Sequence, residues 1–266
     1  MSPVLETNVR KVNLIPMAGA GQRFVDAGVT VPKPLIDVGG VPMIERAARS
    51  LPPADRWIFV CRAEHLAESD MAERLRASFG DVDIVSVDAL TEGQACTCLL
   101  AEHLLEDDDQ LTIGACDNAM TWEASDFESA LAGAGDAWIW TFRNNPAVLQ
   151  DPEMYGWVDV GEGGDASVRR VSVKVPISKH PMKDHAVIGA FTFRRAADFI
   201  FLAREMIAAD RRIKNEFYVD ELMNVFVETG KQVDVFEVDR YICWGTPGDL
   251  ALYDYWRGYF DSEDAT

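Results

Sequence analysis

The chain has 266 residues, 48% of them hydrophobic, which is enough to bury a full core and excludes disorder over most of its length. Its 25 Lys and Arg residues against 44 Asp and Glu residues give a formal net charge of -19. This acidic balance argues against nucleic acid or an anionic membrane surface as a partner, and it makes any cluster of Lys and Arg conspicuous.

Cysteine usage and hydropathy indicate the compartment. The five Cys residues are odd in number and lie mostly in apolar runs, so reduced thiols fit better than a disulfide framework. The pair Cys96-x-Cys98 has no second pair near it, which disfavours a zinc site. We find neither an apolar signal segment nor a membrane-spanning run, and therefore predict a cytoplasmic protein with no membrane partner.

Short apolar runs alternate with amphipathic segments through the first half of the chain. The runs predict buried strands, and the segments between them predict helices. This alternation predicts an α/β fold, Rossmann-like, with three α/β/α layers and a mostly parallel central sheet that collects ligands at the carboxyl ends of its strands. The predicted elements are strand 12–15, helix 43–50, strand 57–61, helix 64–79, strand 82–87, helix 91–105, strand 110–115, helix 122–132 and strand 137–142.

The pattern changes after residue 151. Two alternating runs around a Gly-rich turn at 161–164 predict a small antiparallel insertion. We expect one domain over residues 1–260, with a first part at about 12–145 and a second part at about 146–250, followed by an acidic tail at 261–266. The predicted elements of this half are strands 155–160, 168–175, 186–193 and 232–238, with one helix at 194–207 and a final helix from residue 247.

The stretch that organises the chain is the loop after the first strand. Gly19-Ala20-Gly21 lets the backbone approach an anion closely and turn its N–H groups inward. Arg23 follows two residues later, and Lys33 is held on a segment stiffened by two flanking prolines. Neither a Walker loop nor a full dinucleotide fingerprint is present, since Phe24 stands in place of the third glycine. Two glycines with two cations therefore suit a polyphosphate.

Polar side chains also lie at two later element ends. Asp117 follows the fourth predicted strand, where α/β folds bind ligands, although a cap for the next segment is the structural alternative. Gly93 and Gln94 begin a predicted helix, either as a simple cap or as a recognition site, because the amide offers a donor and an acceptor. The cationic stretch 177–185 is an exposed loop, a phosphate site or a contact with a second subunit.

The motifs around the glycine loop are MAGAGQRF at residues 17–24, PKPLI at 32–36 and VPMI at 41–44. Together they resemble the signature of the sugar-phosphate nucleotidyltransferases, which make nucleotide sugars. The resemblance implies catalytic roles for Arg23, Lys33 and Asp117, and it implies a magnesium ion bound by Asp117. The form of the loop is closest to cytidylyltransferases, including phosphocholine ones, which weakly favours CTP. The implied nucleotide-binding residues are Ala18, Gly19, Ala20, Gly21, Gln22, Gly93 and Gln94.

The same resemblance implies a site for a phosphorylated acceptor, made by Gly156, Lys174, Glu216 and Asp220. Glu216 and Asp220 are four residues apart, as on one helix face, although a solvated helix start is the alternative. The chain departs from the family pattern at Val173 and Cys243, where many members carry a glutamate and a second magnesium-binding aspartate. A thiol is a poor ligand for a hard cation, so Asp239 or the triphosphate alone would complete the metal site.

These residues predict a magnesium-dependent nucleotidyltransferase that transfers a nucleoside monophosphate to a phosphorylated sugar or similar small acceptor and releases pyrophosphate. The family resemblance implies a role in nucleotide-sugar biosynthesis for capsule or other surface polysaccharide. Two alternatives stay open: a cytidylyltransferase acting on a non-sugar phosphate such as phosphocholine, and a non-catalytic nucleotide-binding relative. The oligomeric state also stays open, although aromatic residues between 253 and 260 offer a surface for a homo-oligomer.

Overall fold

The computed structural model of the protein describes residues 9–161 and 166–263. Most of the predicted turn at 161–164 and the last three residues of the predicted acidic tail lie outside these residues. The strands are β1 (Lys11–Met17), β2 (Arg56–Arg62), β3 (Val82–Val87), β4 (Gln110–Ile113), β5 (Asn118–Thr121), β6 (Ala137–Phe142), β7 (Gly156–Val160), β8 (Val168–Val173), β9 (His185–Phe193), β10 (Val233–Glu237) and β11 (Arg240–Cys243).

The α-helices vary from short turns beside the loops to long helices that cover the sheet. Brief 3-10 turns interrupt several connections, among them the one at Lys33–Leu35. The helices are α1 (Gln22–Asp26), α2 (Met43–Ala48), α3 (Ala63–Ala67), α4 (Met71–Phe79), α5 (Gln94–Leu99), α6 (Ala124–Ala132), α7 (Ala196–Ala208), α8 (Val219–Glu228) and α9 (Pro247–Glu263). None of the helices in residues 9–161 and 166–263 is long and apolar enough to cross a membrane.

The strands form a large mixed sheet with the order β10-β6-β9-β4-β1-β2-β3. The pairs of β1 with β2 and β4, of β2 with β3, and of β6 with β10 are parallel, whereas β9 runs antiparallel to β4 and β6. The antiparallel hairpin of β7 and β8 branches from β9. This arrangement confirms the predicted α/β fold with a mostly parallel sheet and a small antiparallel insertion.

The sheet is buried on both faces, as a three-layer α/β/α fold requires. Val12 and Leu14 of β1 pack into one apolar cluster, whereas Ile15 and Met17 pack into the cluster on the other face. Side chains alternate across a strand, so one strand supplies both cores. The core is therefore built around the central strands, whose carboxyl ends present loops to solvent.

Two predicted helices are shorter than their periodicity indicates. The helix predicted at 64–79 is interrupted between α3 and α4, because the Ser69 hydroxyl donates to the His65 carbonyl at 2.5 Å and accepts from the Met71 N–H at 3.4 Å. Such side-chain bonds compete with the helical ladder. The helix predicted at 91–105 is limited to α5 and a 3-10 turn, since Gly93 has φ 132° and is not helical.

The predicted shared helix face of Glu216 and Asp220 is also wrong. Lys214 and Asn215 have φ of 49° and 70°, which makes a tight turn in which Ile213 and Glu216 pair. Helix α8 begins only at Val219, so Glu216 precedes it and Asp220 lies in its first turn. Most other predicted elements match within about two residues, whereas the short pair β5 and β11 and the helices α1 and α8 are additional.

Candidate active site

The glycine loop and Asp117 lie side by side because β1 and β4 are adjacent parallel strands. The loop follows β1, and the segment with Asp117 follows β4, so both leave the sheet at its carboxyl edge. Asp117 is held by its neighbours: its carbonyl accepts from the Trp244 N–H at 2.8 Å, and the Asn118 amide donates to the Ile188 carbonyl at 3.0 Å. The topology therefore brings together the two strongest sequence motifs.

Gly21 is required where it stands for two reasons. Its φ of 63° is left-handed, a conformation that costs other residues about 1–2 kcal/mol. A Cβ at this position would also lie 3.1 Å from Lys33 Cβ, so a side chain would push the lysine segment away. The loop and Lys33 are thus packed together.

Lys33 and Asp117 form an ion pair, with 2.6 Å between Nζ and Oδ2. Lys33 Nζ also lies 3.4 Å from the Gly245 carbonyl and 5.6 Å from the centre of the Phe24 ring. Burial lowers the pKa of Lys33, but Asp117 more than offsets it, so the pKa is raised above its usual value. Lys33 is therefore a fixed positive charge at neutral pH.

Cys243 lies beside this pair because β11 pairs with β5, placing Cys243 opposite Asn118. Its Sγ accepts from the Gly245 N–H at 3.3 Å and lies 3.7 Å from an Asp249 carboxylate oxygen. Burial and the nearby Asp117 raise the pKa of the Cys243 thiol to about 11, so it is neutral at physiological pH. Cys243 thus offers a protonated sulfur at the position where the resembled family often carries a second carboxylate.

The residues fit a magnesium ion in one way only. Within the described residues, no cluster of three or more His, Cys, Asp or Glu could hold a metal. Asp239 lines a different cavity, together with Arg143, and Asp249 accepts hydrogen bonds from the Thr246 N–H and hydroxyl. One carboxylate oxygen of Asp117, Oδ2, accepts a hydrogen bond from Lys33 Nζ. The other oxygen is left to bind magnesium together with phosphate oxygens and water.

The central cavity has a volume of about 240 Å³ and is lined by several of the predicted site residues. Its lining includes Asp117 and Cys243, together with residues of β7, β9 and the start of α8. Both cationic and anionic side chains line it, in a chain that is otherwise strongly acidic. The predicted site residues that line it are Arg23, Gln94, Asp117, Gly156, Lys174 and Asp220.

A second cavity, the loop cavity, has a volume of about 350 Å³ and lies between the glycine loop and the start of α5. Gln94 lines both cavities, so they adjoin at its side chain. Gly93 belongs there for a packing reason, since a Cβ would lie 2.5 Å from the Phe217 nitrogen. Of the other predicted residues, Ala18, Gly19, Ala20 and Glu216 line this cavity.

Three further predicted residues, Glu216, Gln22 and Gly21, do not line the central cavity. Glu216, expected beside an acceptor, lines the loop cavity instead of the central one. The Gln22 side chain donates to Asp26 at 2.7 Å, within α1, and lines none of the cavities described here. Gly21 lines a third cavity of about 190 Å³, with Lys33 and His65. The ligand roles of these residues stay predictions.

Lys174 and Asp220 both line the central cavity, where Lys174 is half-buried and Asp220 is buried. Lys174 has φ 63°, donates from Nζ to the Met154 carbonyl at 2.5 Å, and lies 5.5 Å from the centre of the Tyr218 ring. Burial lowers the pKa of Lys174, and Asp220 only partly offsets this effect. Burial likewise raises the pKa of Asp220 to about 6. Gly156 makes room for the pair, since a Cβ there would lie 2.2 Å from Asp220 Oδ2.

The sequence analysis did not predict the tyrosine side chains that line the central cavity. Tyr155, Tyr218 and Tyr241 line it, and Tyr241 stacks on Phe142 with 4.2 Å between ring centres. The only local signal is that Tyr155 and Tyr218 adjoin the predicted Gly156 and Asp220 segments. The cationic stretch 177–185 does not line the central cavity of the described chain.

The sequence matches the family model described as MobA-like NTP transferase domain over residues 14–150, more than half of the chain. The chain belongs to this family. The match confirms the nucleotidyltransferase family that the motifs indicate, and it includes the glycine loop, Lys33, Gln94 and Asp117. No curated protein matches the chain.

Solved structures share the fold of this NTP transferase over nearly its whole length. A nucleoside-diphosphate-sugar pyrophosphorylase from Vibrio cholerae is 20% identical, with a TM-score of 0.74, covering 91% of this chain and 98% of that one. An inositol-1-phosphate CTP transferase from T. maritima is 17% identical, with a TM-score of 0.71, covering 92% and 94%. A UDP-glucose pyrophosphorylase from Acinetobacter baumannii is 17% identical, with a TM-score of 0.69, covering 92% of each chain.

Proposed function

We propose that this nucleotidyltransferase moves a nucleoside monophosphate from a nucleoside triphosphate to the phosphate of a small polyhydroxylated acceptor, such as a sugar phosphate, and releases pyrophosphate. The observation that carries the proposal is the Lys33–Asp117 pair at 2.6 Å, with the central cavity on one side of it and the glycine loop on the other. The loop cavity and the central cavity adjoin at Gln94, and a ligand in the central cavity would reach Asp117 of this pair.

The reaction needs charge neutralisation more than acid–base chemistry. An acceptor phosphate oxygen attacks the α-phosphorus, a new P–O bond forms, and the α–β bridging P–O bond breaks as pyrophosphate leaves. The attacking oxygen is already ionised at neutral pH, so no proton must be removed. Both reactants are anions, and their repulsion and alignment dominate the barrier. A site with fixed cations and no catalytic histidine suits this task.

Each cation has a place in this scheme. Lys33 stabilises charge that develops around the α-phosphorus, because it is buried and held by Asp117. The loop Gly19–Gly21 and Arg23 hold the leaving pyrophosphate. Bound magnesium would neutralise phosphate charge further, and Asp117 is the carboxylate that would hold it.

The acceptor side favours a polyol over a quaternary ammonium compound. Asp220 and the tyrosines of the central cavity offer hydrogen-bonding groups to hydroxyls. Lys174 already occupies the face of the Tyr218 ring, which a choline group would otherwise use. Structural neighbours named for sugar nucleotides and inositol phosphate support the same class. The preference for CTP and the role in surface polysaccharide synthesis stay predictions from the family resemblance.

The test is pyrophosphate release with each of CTP, UTP, GTP, ATP and dTTP, with magnesium, against sugar phosphates, inositol phosphates and phosphocholine. We expect release with one nucleotide and a polyol phosphate, and none without magnesium. Release with phosphocholine alone would overturn the acceptor class. Nucleotide binding by calorimetry without release for any acceptor would instead support a non-catalytic relative.

A further inference from the structure

The last helix, α9, begins at the candidate site and ends on the surface. Its start is capped, since the Asp249 N–H donates to Thr246 Oγ1 at 3.1 Å and the Thr246 N–H donates to the Asp249 carboxylate at 3.0 Å. On the inner side Tyr253 packs on Trp244, with 5.6 Å between ring centres, and Arg257 approaches Gly39. One side of α9 is therefore fixed to the body of the protein.

A different face of α9 carries large apolar side chains in solvent. Their positions follow the helical spacing i, i+3, i+4, i+7 and i+8, so they form one continuous band, here called the aromatic stripe. Their rings pack on one another, for example Tyr255 on Trp256 and Trp256 on Phe260, with ring centres 5.4 and 6.2 Å apart. Exposed fractions range from 45% to 64% for the stripe residues Leu252, Tyr255, Trp256, Tyr259 and Phe260.

A band of this kind is more than ordinary surface. Single exposed apolar residues need no explanation, whereas the largest contiguous apolar patch of a monomer, typically about 300–600 Å², often has a function. Four half-exposed aromatic rings and a leucine leave roughly 500 Å² of apolar surface. A symmetric contact uses the same patch on both copies, so it would bury about 1,000 Å² in total, which reaches the size of a specific interface.

We propose that the aromatic stripe pairs with the stripe of a second copy of this chain, with the two α9 helices antiparallel about a two-fold axis. Charge excludes the main other occupants. A net charge of -19, with Asp254 and Asp261 on α9 itself, repels nucleic acid, anionic lipid and acidic peptides. The same charge acts between two copies, so their pairing would rest on the apolar burial of the stripe.

The affinity of the proposed dimer should depend on salt in a characteristic way. Two copies of -19 repel each other at long range, while the stripe attracts by apolar burial. Salt screens only the repulsion, so the dimer should tighten as sodium chloride rises from about 0.05 M to about 0.5 M. An interface held by ion pairs would weaken over the same range.

The experiment is sedimentation equilibrium of the full chain and two double variants. Tyr255→Glu/Trp256→Glu places two charges in the stripe, and Leu100→Glu/Phe201→Glu places two charges on apolar side chains that are 41% and 62% exposed elsewhere. We expect a dimer at micromolar concentration for the wild type and the second variant. For the stripe variant, the dissociation constant of the dimer should be higher, on the order of a hundredfold.

Circular dichroism checks that both variants are folded, and flotation with phosphatidylcholine vesicles tests a neutral lipid surface as occupant. A wild type that is monomeric at the highest soluble concentration overturns the proposal. So does a dimer that the stripe variant leaves intact, or one that weakens with salt. Vesicle binding by a monomer through the stripe would assign the surface to lipid instead and equally overturn it.

Discussion

The two sides of the candidate site are built in different ways. The nucleotide side comes mainly from a continuous stretch, with the glycine loop and Lys33 within residues 17–36, joined by Asp117 after the neighbouring strand and by Gly93 and Gln94 before and in α5. The acceptor side combines β7, the residue after β8, a bulge of β9 and the start of α8. The first side is thus encoded locally, whereas the second exists only once the sheet has formed.

Their electrostatics differ in the same way. In the nucleotide pair, burial lowers the pKa of Lys33 but the contact with Asp117 outweighs it, so the raised pKa keeps Lys33 charged at neutral pH. In the acceptor pair, burial lowers the pKa of Lys174 and raises the pKa of Asp220 to about 6. The nucleotide side is therefore a fixed ion pair, while the acceptor side can change its charge within a pH unit of neutrality.

The largest effect should come from Lys33→Ala. It removes the fixed charge beside the reacting phosphorus and leaves Asp117 without its counter-ion, so kcat for pyrophosphate release should fall on the order of a hundredfold or more. Lys231→Ala is the matched control, since Lys231 also pairs with two acids, Asp198 at 2.7 Å and Asp136 at 3.3 Å, outside the cavity. Near-normal turnover of a folded Lys33→Ala variant would mean that the reaction does not need the fixed charge of Lys33. The nucleotide side would then not differ from the acceptor side by a catalytic fixed charge.

Gly156→Ala should act on the acceptor side alone. The new Cβ would lie 2.2 Å from Asp220 Oδ2, so the carboxylate must move. Because small misplacements of a binding group are costly, we expect the KM for the acceptor to rise on the order of tenfold to a hundredfold, with the KM for the nucleotide unchanged. Gly258→Ala, in open space on α9, is the control and should leave both constants unchanged. Equal effects on both KM values would contradict a divided site.

This contrast also explains how much the sequence alone predicts. The short apolar runs and the glycine loop predict the sheet and most of the nucleotide side, because both depend on neighbours in sequence. The role of Gly93 depends on the Phe217 backbone, 2.5 Å from where its Cβ would be and more than a hundred residues away. The same holds for Tyr218 beneath Lys174 and for β5 with β11. Such long-range packing has no local signature.

Cys243→Asp tests what separates the nucleotide side from a two-carboxylate metal site. The new carboxylate would stand beside Asp117 and Asp249, so repulsion should lower the melting temperature of the metal-free protein. Manganese should restore it, and electron paramagnetic resonance should show Mn2+ affinity raised about tenfold over the wild type. Cys96→Asp, at a half-buried position outside the cavities, is the control. Unchanged Mn2+ affinity would mean that Cys243 is not at the metal position.

The smallest effect, a stability difference with pH, tests the acceptor pair directly. Burial raises the pKa of Asp220 from 3.8 to about 6, so the folded state holds this proton more tightly than the unfolded state. Between these two values the unfolded state binds fewer protons, and stability therefore falls as pH rises; below the window and above it Asp220 adds no further slope. Asp220→Asn lacks this titration.

The free energy of unfolding of the wild type, relative to Asp220→Asn, should fall by about 1 kcal/mol between about pH 5 and about pH 7. Urea denaturation of both proteins at the two pH values measures it, and Asp184→Asn, on an exposed carboxylate bonded to Ser178, gives the control slope. A difference that stays flat or rises with pH would mean that Asp220 is ionised without penalty. The acceptor side would then carry a fixed negative charge at Asp220 over this pH range and would not change its charge near neutrality.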